Sequence, residues 1–226
     1  MSLTIWMVRH GETASNADGM FQGHIDTPLN ARGEAQARAV GEFLRGVVFD
    51  AVYASDLQRA ARTAELIVHG RQPVILDPDL REMHYGVLQG VHYRDAELTL
   101  RSHGMADDWA SGAFHRRGLA PPGGESIRTL RSRSRRFQSM LGHAHGEGDQ
   151  SVLVVAHGGK LAMLLTVLLG LPGQARHLFR LANCGLTRVS RFDDRATLDF
   201  HNLVVWDERW PIMSPGTRGP LHPRGE

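Results

Sequence analysis

Cysteine is almost missing from this sequence. Cys184 stands alone among 226 residues, so no disulfide can close within the chain, and a reducing, cytoplasmic setting is expected. Long apolar runs are missing too: the greasiest stretch, 161–171, is broken by Thr166 and Gly170, and 3–8 is too short for a signal-peptide core and has no basic segment before it. No membrane role is expected. Neither sign of charge dominates, because 26 Lys and Arg face 24 Asp and Glu for a net charge of +2, which points to no polyanionic partner. No internal repeat is visible. What is present, 42% hydrophobic and 22% charged residues, suffices for one core. Residues 1–210 are expected to form a single domain with a helical and loop excursion at about 86–145, and the Pro- and Gly-rich stretch 211–226 a mobile tail.

Short apolar stretches alternate with amphipathic ones. The run 3–8 reads as a central buried strand ended by a turn at Gly11, and Asn30 is placed to cap a helix with apolar positions Ala35, Val40, Phe43, Leu44 and Val47. A second strand follows at 50–54. Ser55 and Gln58 have the spacing of a capping box for a helix with Arg59 in its first turn, stopped by His69 and Gly70, and 73–76 is strand-like. Ser126 is placed to cap a helix through Ile127, Leu130, Phe137, Met140 and Leu141, 151–156 is the strongest strand, and another helix runs from Lys160. The stretches 185–192 and 197–206 read as a terminal hairpin. This order predicts an α/β fold: a mostly parallel sheet with helices on both faces and an antiparallel terminal hairpin.

In such sheets ligands gather beyond the carboxyl ends of the strands, and there the sequence concentrates its chemistry. Arg9 and His10 follow one strand, His157 another, Arg59 opens the helix after a third, and Glu82 lies just past a fourth. Guanidiniums bind phosphoryl oxygens bidentately, and an imidazole kept neutral by neighbouring cations can attack phosphorus without a metal. An alkoxide leaving group needs a proton, for which Glu82 is the candidate, with Glu65 and Glu125 as competitors.

The segments "VRHGET", "SDLQRAARTAE", "REMHYGVLQG" and "VVAHGG" together resemble the histidine phosphatase superfamily, also called phosphoglycerate mutase-like. The resemblance covers most of the chain. It implies that His10 is the nucleophile that becomes phosphohistidine, that Arg9, Arg59 and His157 complete the phosphate pocket, and that Glu82 is the proton donor. It also implies substrate contacts at Asn16, Gln22, Gly23 and Gly158, and no metal or organic cofactor. "PPGGES" and the Gly159 of "HGG" are similar to the phosphatase branch. Cofactor-dependent mutases usually carry Asn at the latter position, and their lysine after "LQG" is absent, with Val91, His92, Tyr93 and Arg94 in its place. "HRRGLAPP" at 115–122 pulls toward the mutases, so that activity is the alternative to hydrolysis of small phosphate monoesters.

Rival readings rest on less. "HAHGEGD" at 143–149 superficially resembles a metal-ligand cluster, but its small polar residues read as a loop between a helix and a strand. "RTLRSRSRR" at 128–136 raises a nucleic-acid binding module, yet helical spacing scatters those arginines. A non-catalytic phospholigand binder would not need the whole motif set. The expected partner is a small phosphorylated metabolite, with no nucleic acid and no membrane; a homodimer stays open.

Overall fold

Side-chain alternation along the first strand sets the architecture. In β1 (Ser2–Arg9), Leu3, Ile5 and Met7 enter one buried cluster while Trp6 and Val8 enter another, so this strand is covered on both faces. The structure is a computed structural model that describes residues 2–111, 117–192 and 195–207. Its six strands lie in the order β3-β2-β4-β1-β5-β6, where β2 is Ala51–Ala54, β3 Ile75–Leu76, β4 Asp149–Ala156, β5 Leu186–Phe192 and β6 Arg195–Leu203. β3, β2, β4 and β1 are parallel; β5 runs antiparallel to β1 and pairs with β6 as a hairpin. The α/β class, the mostly parallel sheet and the terminal hairpin are thus as the sequence predicts. The 211–226 tail lies outside the described residues.

Helices cover both faces. α1 (Ala14–Ala17) is a single turn behind β1, while α2 (Ala31–Phe43) and α3 (Gln58–Val68) pack Ala37, Val40, Ala60, Ala64 and Ile67 against Trp6, Val8, Leu153 and Val155. On the other face, α6 (Ile127–Ala144) and α7 (Gly158–Leu168) bring Phe137, Leu141, Leu161 and Leu165 onto Ile5, Met7, Val152 and Val154. The excursion between β3 and α6 carries α4 (Ala96–Arg101) and α5 (Ala106–Ala110), with Leu88, Ala96 and Leu100 in a small core of their own.

Several local expectations need correction. Ala35 is exposed, because the buried face of α2 runs through Gly33, Ala37, Val40 and Gly41. The Ser55/Gln58 capping box does not form: α3 starts at Gln58, whose N–H donates instead to Asp26 Oδ1 at 2.8 Å, while its side-chain amide donates to the Asp26 carbonyl. A residue 32 positions away supplies the cap, and no local pattern records that. The 73–76 strand shrinks to the two exposed residues of β3 at the sheet edge, and α7 begins at Gly158, two residues before Lys160.

Register then places the site. Arg9 lies opposite Ala156 in the parallel β1/β4 pair, and His10 N–H donates to the Ala156 carbonyl at 2.9 Å, so the next residues, His10 and His157, emerge side by side. Ala54 is opposite Val155, which brings the start of α3 to the same edge.

Candidate active site

The turn after β1 fixes the state of His10. A Cβ on Gly11 would lie 2.4 Å from the Gly33 carbonyl oxygen, so the close approach of this turn to α2 admits only glycine. The Gly11 N–H donates to Thr63 Oγ1 at 3.0 Å, and the Thr63 hydroxyl donates to the Arg59 carbonyl at 2.7 Å. Held there, the Gly11 carbonyl accepts from His10 Nδ1 at 2.7 Å. A carbonyl has no proton to give, so Nδ1 carries the hydrogen and Nε2 of the neutral ring keeps its lone pair. Burial first, then the Arg59 and Arg9 charges, hold the His10 pKa well below its usual 6.5.

Around this ring the donors are aimed by backbone carbonyls. Arg59, 1% exposed, gives its two terminal nitrogens to the Ile25 and Gly23 carbonyls at 2.7 Å each and its Nε to His157 Nδ1 at 3.2 Å. Burial lowers its pKa to about 10, which leaves it a cation at neutral pH. Because His157 Nδ1 accepts, the hydrogen of its neutral ring sits on Nε2. His157 is held neutral chiefly by burial and next by Arg59. The His10 and His157 rings meet edge to face, with centroids 5.1 Å apart. The Arg9 guanidinium donates to the Leu181 carbonyl at 2.8 Å. Two buried donors in this cluster, Arg9 Nε and His157 Nε2, have no hydrogen-bond partner among the described residues. Buried donors without acceptors, at the N-terminus of α7 that His157 opens, suit an oxyanion.

Glu82 joins them from the segment after β3. Its Oε1 accepts from Met83 N–H at 2.8 Å and its Oε2 from Gly159 N–H at 2.9 Å, which pins the carboxyl to the first turn of α7. The competing acids are engaged elsewhere. Glu65 pairs with Arg62 in solvent, and Glu125 forms a bidentate pair with Arg133, at 2.8 Å for both bonds. Arg133 also donates to the carbonyls of Asp79, Arg81 and Glu82, so it ties the Glu82 segment to α6.

The four secondary positions divide. Gly158 abuts Arg9: a Cβ there would sit 3.5 Å from its Nε. Gly23 reaches the site through its carbonyl, as an anchor for Arg59. Asn16 Oδ1 accepts from Asn183 Nδ2 at 3.2 Å, and the same amide donates to the His10 carbonyl at 3.0 Å. Gln22 is buried, with its Oε1 3.0 Å from the Thr13 hydroxyl. Sequence reasoning passed over Thr63, Asn183, Arg133 and His24, whose Nε2 bonds the Glu82 carbonyl at 2.8 Å. Asn183, Arg133 and His24 act on the backbone of a named site residue from a distant segment, and Thr63 joins Arg59, one turn before it, to Gly11 52 residues away, so spacing carried no signal for these contacts. Nearby, Phe21 packs against Tyr93 at 4.6 Å and Tyr85 at 5.1 Å, and both tyrosines are close enough to Glu82 and Arg9 to feel their charges.

Among the described residues no group of three or more His, Cys, Asp or Glu is arranged to hold a metal ion. In the 143–149 stretch, His143 bonds the Ser139 carbonyl and His145 bonds Tyr53 and Gln150. Among the same residues no helix is long and apolar enough to cross a membrane.

Compared with known proteins, residues 5–204 match the family model of the histidine phosphatase superfamily (branch 1). The chain belongs to that superfamily. It is therefore a histidine phosphatase, in a family where phosphate monoesters are hydrolysed through a phosphohistidine. It is 38% identical over 181 residues to the adenosylcobalamin/alpha-ribazole phosphatase of Escherichia coli K12, covering 79% of this chain and 85% of that protein. It is also 39% identical over 190 residues to an Enterobacter protein named "Probable phosphoglycerate mutase GpmB", covering 83% and 84%. The crystal structure of the alpha-ribazole phosphatase from Shigella flexneri superposes with a TM-score of 0.78 at 34% identity, covering 88% of this chain and 96% of that one. The phosphoglycerate mutase-like fold expected for this histidine phosphatase is the one it has.

Proposed function

We propose that residues 1–210 act as one catalytic domain that hydrolyses small phosphomonoesters, with His10 as the nucleophile. The observation that carries this reading is the His10 Nδ1 to Gly11 carbonyl bond in a buried, cation-flanked ring, which leaves Nε2 as an unprotonated imidazole nitrogen. In the first step Nε2 forms a bond to phosphorus as the ester P–O bond breaks. Arg9, Arg59 and the His157 Nε2–H hold the three non-bridging oxygens, whose charge needs the most stabilisation. Glu82 gives its proton to the departing oxygen. In the second step the Glu82 carboxylate takes a proton from water as that water attacks the phosphohistidine, releasing phosphate and restoring both groups. Asn16 and Gln22 support the rim, and Gly158 leaves room beside Arg9 for the phosphoryl group.

The E. coli and Shigella relatives make alpha-ribazole phosphate one substrate to include in a screen, and the cluster of Phe21, Tyr85 and Tyr93 is compatible with an aromatic leaving group. The mutase relative keeps phosphoglycerate isomerisation as the second reading. The bonds of α6 arginines 131, 133 and 136 to the protein itself support a function without a nucleic-acid partner, which retention on DNA or RNA tests. The lone buried Cys184 supports a cytoplasmic location, and a homodimer is left to measurement of the solution mass.

The deciding experiment mixes the protein with nitrophenyl phosphate, quenches within milliseconds and measures intact mass and base-stable, acid-labile phosphate. A phosphoryl adduct on His10 is expected, and His10→Ala should lose the adduct and at least about a thousandfold in turnover. Full turnover in His10→Ala would overturn the mechanism. A metabolite-phosphate screen beside a phosphoglycerate isomerisation assay, with and without bisphosphoglycerate, separates phosphatase from mutase.

A further inference from the structure

The tautomer of His10 depends on one peptide group, and that group is held from behind. The Gly11 carbonyl takes the Nδ1 hydrogen of His10 at 2.7 Å, and the N–H of the same peptide, on Glu12, donates to Gln36 Oε1 at 3.0 Å. A trans peptide is planar with its C=O and N–H pointing opposite ways, so an acceptor fixed behind it fixes where the carbonyl points. Gln36 is 2% exposed, on the buried face of α2 one turn after Gly33. Packing there is tight. A Cβ on Gly33 would collide with the Glu12 carbonyl oxygen, which accepts from Asn30 N–H at 3.0 Å, so the first turn of α2 is docked against residues 11 and 12.

Turned over, this peptide would set the Glu12 N–H against His10 Nδ1. Nδ1 would then have to accept, its hydrogen would move to Nε2, and the ring would have no lone pair there to attack phosphorus. Gly11 has no side chain to resist such a rotation. Thr63 and Asn183 hold the preceding peptide, through the Gly11 N–H and the His10 carbonyl, and leave this one to Gln36. A peptide that donates through its N–H is also a better acceptor at its carbonyl, so the Gln36 bond strengthens the pull on the Nδ1 hydrogen and with it the basicity of Nε2.

We propose that Gln36 is a positioning residue for the nucleophile: by accepting from Glu12 N–H it keeps the Gly11 carbonyl on His10 Nδ1 and so keeps Nε2 free. The inference rests on the reading of His10 as the nucleophile and adds to it a residue that acts through the backbone, 24 positions beyond Glu12.

Imidazole nitrogen NMR on the ¹⁵N-histidine-labelled full chain tests it, because a nitrogen that carries hydrogen and one that holds a lone pair resonate far apart. In the wild type at neutral pH, with His10 assigned by its loss in His10→Ala, Nδ1 should carry the hydrogen. Gln36→Met keeps the volume and removes the acceptor. A mixture of the two His10 tautomers is expected, with the nitrophenyl phosphate burst slowed about tenfold and KM changed by less than about twofold. Gln36→Glu keeps an acceptor opposite the Glu12 N–H and should restore the wild-type tautomer and most of the burst rate. Gln36→Asn, one methylene too short to reach, should repeat the Gln36→Met result and takes its place if that chain does not fold. A wild-type His10 with its hydrogen on Nε2 overturns the proposal. So do folded Gln36→Met and Gln36→Asn chains that keep the wild-type tautomer and burst, even at a lowered unfolding midpoint, since that pattern is a structural role alone. If the tautomer shifts as stated yet the wild type forms no phosphohistidine, the nucleophile reading fails and the hold of Gln36 on the ring stands.

Discussion

At the scale of single residues, protonation and space decide the chemistry. Around His10 one Arg9 nitrogen and both terminal nitrogens of Arg59 are already bonded to backbone carbonyls, so these side chains are aimed before a ligand arrives. The His10 pKa is lowered by burial and by two arginines, so its Nε2 stays unprotonated as pH falls through 6.5 and is lost only below that. The phosphorylation burst with nitrophenyl phosphate should therefore keep its rate at pH 6; a burst rate that has halved by pH 6.5, by rapid quench, would contradict the assignment. Space matters equally at Gly159. A Cβ there would stand 2.7 Å from Glu82 Oε1, too close for both to remain. Gly159→Ala should displace the carboxyl and lower kcat on alkyl phosphates by roughly tenfold or more, with a smaller loss on nitrophenyl phosphate, whose leaving group needs little protonation. Equal losses on both esters would remove Glu82 from the donor role. The five principal candidate residues could be picked out because each lies in a recognisable motif, four of them at a strand end or a helix start. Thr63, Asn183 and His24 were not, because they touch only the backbone of those residues.

Elements set these positions through contacts that the local sequence does not contain. α3 carries Arg59, yet Asp26 caps it across 32 residues in place of the expected Ser55. In α7 the chain's one lysine, Lys160, is fully buried and donates to Ser134 Oγ at 2.8 Å, a tie between α7 and α6. Burial, followed by the Arg133 charge, lowers its pKa from 10.5 to about 7. The unfolded chain holds this proton up to 10.5 while the folded chain releases it near 7. Stability therefore rises with pH between those values, and the full penalty is felt below about 7. Lys160→Met should stabilise the fold at pH 6 by on the order of 2 kcal/mol, a gain that shrinks toward pH 10, readable by urea titration at each pH. A gain independent of pH would show that packing rather than charge is responsible.

Across the whole molecule, parallel pairing of β1 with β4 and of β4 with β2 brings three chain segments to one edge, and Arg133 adds the fourth. The Arg133–Glu125 pair is nearly buried, with side-chain exposures of 11% and 8%. Arg133→Ala would leave Glu125 without its cation and free the Glu82 segment from α6. A loss of about 3 kcal/mol in stability is expected, with a fall in kcat that glucose 6-phosphate shows more than nitrophenyl phosphate does. Unchanged unfolding midpoints would refute that coupling. By itself the sequence determined the α/β alternation and the buried central strand and singled out His10, Arg9, Arg59, His157 and Glu82 as candidates, because periodicity and short motifs are local properties of the chain. Only the tertiary structure decided which histidine nitrogen is free, which of three glutamates meets α7 and what caps α3. The acid and the cap depend on groups far apart in sequence meeting within about 3 Å, the range of a hydrogen bond, and the free nitrogen depends on a turn that Thr63 holds from 52 residues away.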